Sequence, residues 1–216
     1  MIEQTTTTTG TSRVTAAFER AKAEGRAALV PYVTCGWPEL DDTVGIVEGL
    51  IAGGADIIEL GVPFSDPIAD GPTIQRTSQR ALDNGMTPQL ALDTVRRLRE
   101  RGIATPLLFM GYYNPVFAYG LDTFARACAE AGVDGLLIPD LPPEESDELL
   151  AACLDNGIHL IYFLAPTSTE ERVEAVLERA NGFLYLISLT GVTGARDQLP
   201  PGLGDYVVRG RRRTPL

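Results

Sequence analysis

The sequence predicts an α/β fold built on a parallel sheet, and three observations carry that expectation. Apolar runs of strand length alternate with amphipathic helical stretches along most of the chain. The runs are continuously apolar rather than alternating, as in strands covered on both faces. Unusual polar residues gather just after the strands, in Glu59 to Asp70, Tyr112 to Asn114, Asp140, and Gly191 to Arg196. A βα repeat supports either an open doubly wound sheet or a closed barrel. No Gly-x-Gly-x-x-Gly follows the first strand, so the dinucleotide-binding open sheet has no support. Polar residues collected from several strand C-termini favour a (β/α)8 TIM barrel.

The elements follow in order. Residues 1–12 form a Thr-rich N-terminal tract, expected to be a disordered tail, and Val14 to Glu24 reads as a helix stopped by Gly25 that plugs or caps something. Ala27 to Thr34 is the first strand, and Leu40 to Ala52 a helix ended by Gly53-Gly54. Asp56 to Leu60 is the second strand. Two helices, Thr73 to Asn84 and Thr87 to Arg101, close at Gly85 and Gly102 before the strand Pro106 to Tyr112. Then come the helix Leu121 to Ala131, the strand Gly135 to Pro139 and the helix Pro143 to Asn156. The strand His159 to Leu164, the helix Thr169 to Ala180 and the strand Phe183 to Leu189 bring the strands to six. Residues 13–216 are expected to form one domain, because a chain of 216 residues with 44% apolar content can bury a single large core.

Composition excludes several classes. A net charge of −11 without a dense Lys/Arg face argues against nucleic acid or an anionic membrane as partner. The Arg209 to Arg213 run reads as a solvated helix face or tail. Cys35, Cys128 and Cys153 are odd in number and widely spaced, so neither a disulfide framework nor a zinc site is indicated. The single His159 opens a strand and reads as structural. Without an apolar leader at the N-terminus or a run of apolar residues long enough to span a bilayer, the expected location is the cytoplasm.

The chemistry concentrates in Glu59 to Gln75. Glu59 sits in an apolar strand, where an ionised acid costs several kcal/mol unless paired or protonated. It reads either as a structural acid tied to an Arg or a backbone amide, or as a general acid/base with a raised pKa. The loop beyond it carries Pro63, Pro67 and Pro72, which restrict the backbone holding Asp66 and Asp70. Asp70, between Ala69 and Gly71, has room for a ligand beside it, whereas Asp66 follows Ser65 and could serve a local turn.

These stretches resemble the tryptophan synthase α-subunit family. The likeness runs from about Val14 to the last residue, and Glu59 to Gln75 is similar to the family signature nearly residue for residue. Tyr112-Tyr113-Asn114-Pro115, Pro139-Asp140-Leu141-Pro142 and Gly191-Val192-Thr193-Gly194-Ala195-Arg196 match in the same order. The resemblance implies a lyase that splits indole-3-glycerol phosphate into indole and glyceraldehyde 3-phosphate by a retro-aldol reaction, with no metal and no cofactor. It places Glu59 and Asp70 at the two catalytic positions. Tyr32, Tyr112, Leu137, Tyr185, Thr193 and Gly194 fall at substrate-binding positions, and Thr193 would hydrogen-bond Asp70. Asp66 and Pro67 lie in the loop that contacts a β-subunit in an α2β2-type assembly.

The family continues beyond Leu216 into two further βα units, so about six of the eight units are expected here, with two parallel strand edges left open. In the family those two units carry the loops and helix N-terminus that cradle the substrate phosphate, so an alternative reading is an impaired fragment that only binds the β-subunit. A sugar-phosphate epimerase is disfavoured, because a single His cannot supply the metal-ligand set such enzymes use.

Overall fold

The computed structural model describes residues 10–188, 202–211 and 213–214. Six strands form one parallel sheet: β1 (Tyr32–Thr34), β2 (Ile58–Gly61), β3 (Leu107–Met110), β4 (Gly135–Leu137), β5 (His159–Leu164) and β6 (Leu184–Leu186). Each pairs with the next in sequence, and the order never reverses. A doubly wound sheet reverses direction at a switch point, so this order is that of consecutive barrel staves. Among the described residues β1 and β6 each pair on one side only.

The helices are α1 (Gly10–Ala23), α2 (Asp42–Ala52), α3 (Pro72–Asp83), α4 (Pro88–Glu100), α5 (Tyr113–Tyr119), α6 (Leu121–Ala131), α7 (Asp147–Asp155), α8 (Glu170–Arg179) and α9 (Leu203–Arg211). Prolines open α3 and α4, where a missing N–H costs nothing, and the Thr87 hydroxyl accepts from the Leu90 N–H.

The residues of each strand divide between two cores. Ile58, Leu60, Leu107, Phe109, Leu136 and Leu160 face the helices in the larger one. Ile57, Leu108, Leu137 and Ile161 face inward, where Val14 and Ala17 of α1 close over them. Phe18 of α1 adds a ring contact to Phe183, with centroids 5.3 Å apart. The first helix thus caps the N-terminal mouth of the sheet, and two buried acids lock it there. Arg13 Nε donates to Asp134 at 2.7 Å and Arg20 to Asp56 at 3.3 Å. Asp134 also accepts from Arg99 at 2.7 Å and from the Leu107 N–H at 2.8 Å.

Several expected boundaries change. The first helix begins at Gly10, taking in Gly10 to Ser12, while residues 1–9 lie outside the described residues. The first strand starts at Tyr32, because Leu29 spends its N–H on the Asp56 carboxylate and lies 52% exposed. Pro143 to Asn156 is a 3-10 turn (Pro143–Glu145) followed by α7. The buried Ser146 hydroxyl marks the break, bonded to Pro143 O at 2.8 Å and to the Tyr162 hydroxyl at 2.6 Å. The short α5 occupies a stretch expected as the loop after the third strand. The Asp140 carboxylate accepts from the Tyr113 N–H at 2.9 Å and fixes its first turn. Arg213, from the C-terminal Arg run, pairs with Glu170 and lies 3.6 Å from Glu174 on α8.

Candidate active site

Glu59 lies in the middle of β2, in register with Tyr32 of β1 and Leu108 of β3. It is 4% exposed, and among the described residues its carboxylate makes no ion pair and no side-chain hydrogen bond. Burial raises the carboxyl to about 7. A structural acid would have a partner, as Asp56 and Asp134 do. Glu59 thus carries a desolvated carboxyl on the inner face of the strand, with burial as the cause of its raised pKa. Tyr185 of β6 lies close enough for the Glu59 charge, after burial, to raise its phenol further. Its ring packs on Phe163 of β5, with centroids 4.9 Å apart.

Asp70 comes from the loop after β2. Gln75 of α3 ties that loop to the helix by donating to the Asp70 carbonyl at 2.9 Å. Burial raises the Asp70 carboxyl, and the neighbouring Tyr112 hydroxyl opposes the rise. The Tyr112 oxygen accepts from the Ala69 N–H at 3.0 Å, so this phenol holds the backbone of the loop beside the Asp70 carboxylate. Burial pushes Tyr112 up to about 12, which keeps it protonated and able to donate. Phe64 packs on its ring at 5.6 Å.

Tyr32, Asp70, Met110 and Tyr112 line one small cavity of about 20 Å³. Pro139 lines it too, and also borders a wider cleft of about 670 Å³ between Asp140, Tyr162, Phe163, Ser168 and Arg172. The wider cleft lies beside the acids rather than around them, so the small cavity and the inner face mark the candidate site. Tyr32 links the two acids, beside Glu59 in the ladder and across the cavity from Asp70.

The structure thus gathers Tyr32, Glu59, Asp70, Tyr112 and Tyr185 at the C-terminal half of the inner face. Leu137 is fully buried among inner-face residues that include Met110, Phe163 and Tyr185. Asp66 is set apart. It is exposed, accepts from the Ser65 hydroxyl at 2.5 Å, and precedes Pro67 and the 77% exposed Ile68. Thr193 and Gly194 lie outside the described residues. Met110 and Phe163 escaped the sequence reading. Their strands are continuously apolar, so nothing in the sequence separates their two faces, and only the sheet register assigns them to the face of Glu59. His159 is buried at the start of β5, with Nδ1 2.8 Å from Asn181 Oδ1 and Nε2 buried without a partner among the described residues.

The sequence model described as "Tryptophan synthase alpha chain" matches residues 18–216. The chain belongs to that family. The tryptophan synthase alpha chain of Roseiflexus sp. (strain RS-1) is 52% identical over 205 residues, which are 95% of this chain and 78% of that one. The Chloroflexus aurantiacus protein is 50% identical over 95% of this chain and 77% of its own length. Among solved structures, the Legionella pneumophila alpha chain superposes with a TM-score of 0.85 at 38% identity, over 94% of this chain and 74% of that one. The Pyrococcus furiosus tryptophan synthase a2b2 complex, described in terms of mutual activation, gives 0.80 at 39% identity, over 87% of this chain and 75% of that one. The fold they share is the TIM barrel, of which this chain supplies six parallel strands.

Proposed function

We propose that the chain cleaves indole-3-glycerol phosphate to indole and glyceraldehyde 3-phosphate, with Glu59 as the proton carrier. The observation that carries this reading is the buried Glu59 carboxyl, without a partner among the described residues and held near 7 on the inner face. Cleaving the bond between indole C3 and the glycerol chain requires a proton delivered to C3 and a proton taken from the adjacent hydroxyl. The C–C electron pair returns to the ring as the hydroxyl carbon becomes an aldehyde. A group that titrates near neutrality can give the first proton and take the second.

Protonation at C3 places positive charge on the indole nitrogen, which the Asp70 carboxylate would meet through the N–H. Tyr32, Leu137 and Tyr185 would wall the ring, and Tyr112 would fix Asp70. Thr193 and Gly194 belong to the same proposal as groups that close over the substrate.

The exposed Asp66-Pro67 loop is proposed as the surface that meets a tryptophan synthase β-subunit, by likeness to the family's α2β2 complexes. Three buried free cysteines fit a reducing cytoplasm. Among the described residues no helix is long and apolar enough to cross a membrane.

The test is indole release from the purified chain and its Glu59→Gln and Asp70→Asn variants, with circular dichroism on each. The expected result is measurable release by the parent and loss by about 10²-fold or more in Glu59→Gln with an unchanged spectrum. Near-parental release by Glu59→Gln would remove Glu59 from the reaction.

A further inference from the structure

We infer that Tyr32 is a positioning residue for Asp70, acting as a second phenol donor across the small cavity the two residues share. The inference rests on the lyase reading for its functional meaning and on geometry for its existence. Thr34 Oγ1 donates to the Tyr32 hydroxyl at 3.4 Å, with Thr77 Oγ1, 2.8 Å away, donating to Thr34 in that arrangement in place of Ile74 O at 2.9 Å. A phenol oxygen that accepts from Thr34 keeps its own O–H for an acceptor elsewhere. The cavity it borders contains the Asp70 carboxylate on another wall.

At about 20 Å³, that cavity has the size of one water molecule. The Tyr32 proton can therefore reach Asp70 through a single bridging water. The hydroxyl chain has an anchor at each end. Thr77 belongs to α3, the helix that follows the Asp70 loop, and Tyr32 and Thr34 belong to β1. The ring is held in place by Gly61, where any side chain would collide with it. Asp70 thus has a phenol on each side of it, Tyr112 beside its own loop and Tyr32 across the cavity that all three line.

The titratable groups facing Asp70 are those two phenols, with Cys35 acting on Tyr32 and Asp140 on Tyr112. No Arg or Lys pairs with Asp70 among the described residues. Donors to a carboxylate favour its charged form, so the two phenols together offset the burial that raises it.

The test uses Tyr32→Phe and Thr77→Val beside Tyr112→Phe, each read in two ways. Carbon-13 NMR of the aspartate carboxyls, assigned with Asp70→Asn, gives the Asp70 midpoint without requiring turnover. Indole release gives kcat and KM against pH. Tyr32→Phe is expected to raise the Asp70 midpoint by roughly half a pH unit or more and to move the acidic limb of kcat/KM upward with it. Thr77→Val should do the same to a smaller degree, and it supplies the measurement if Tyr32→Phe does not fold. An Asp70 midpoint that moves in Tyr112→Phe but stays fixed in both other variants would reduce Tyr32 to a wall of the pocket. A shifted midpoint in a chain that releases no indole would sustain the network and overturn the lyase reading instead.

Discussion

The Tyr32 phenol fills the space above Gly61: a Cβ on that glycine would stand 2.0 Å from the Tyr32 hydroxyl oxygen. Residue 61 is glycine for room, not for an unusual backbone angle. Gly61→Ala should therefore swing the ring out of the site or push β1 from β2, at a cost of about 1–3 kcal/mol. Thermal unfolding and indole release would be measured together. A stable Gly61→Ala protein with unchanged KM and kcat would show that the ring position does not matter.

The acid network under α1 should dominate stability. Asp134 has a fully buried side chain and accepts from Arg13, Arg99 and the Leu107 N–H. Asp134→Ala strands the half-buried Arg99 and is expected to cost about 3–5 kcal/mol. Urea unfolding checks it, and a loss below about 1 kcal/mol would mean that α1 is held by its apolar contacts alone.

The sequence made the βα rhythm and the acids legible for definite reasons. Glu59 stood out because a carboxylate interrupts an apolar run, and glycines such as Gly85 and Gly102 punctuated the helices. What escaped depended on partners distant in the chain. The α5 helix starts on a carboxylate supplied by Asp140, after the next strand. Asp56 and Asp134 looked like ordinary strand flanks because Arg13, Arg20 and Arg99 meet them only in the folded sheet. The role of Gly61 was hidden because nothing local distinguishes a glycine that makes room for a ring from one that turns the chain.

The Asp66 loop should separate communication from chemistry. Asp66 is exposed and bonded only to its neighbour Ser65 among the described residues. Asp66→Ala should weaken activation by a β-subunit several-fold in a titration while basal indole release stays within about twofold. Equal losses of basal rate in Asp66→Ala and Asp70→Asn would exchange the roles given to the two aspartates.

Glu59 should trade stability for function in a pH-dependent way. The folded chain holds its proton up to about pH 7, whereas the unfolded chain releases it near 4.5. The folded state binds more protons in that window, so this contribution is present below it and is lost as pH rises through 7. Glu59→Gln should therefore stabilise the protein by up to about 3 kcal/mol at pH 8 and change little at pH 4. Denaturant melts at both pH values check the sign, and equal effects at the two would mean that the carboxyl is not desolvated.

The proposed chemistry needs a Glu59 carboxyl that stays protonated close to neutrality, and among the described residues it has no ionic partner. Infrared difference spectra between the parent and Glu59→Gln, recorded from pH 4 to 9, isolate its C=O stretch. The expected result is a protonated carboxyl band that disappears with a midpoint near pH 7. A band already gone by pH 5 would mean that Glu59 is ionised and solvated like a surface acid, and it would contradict the assignment of the proton carrier.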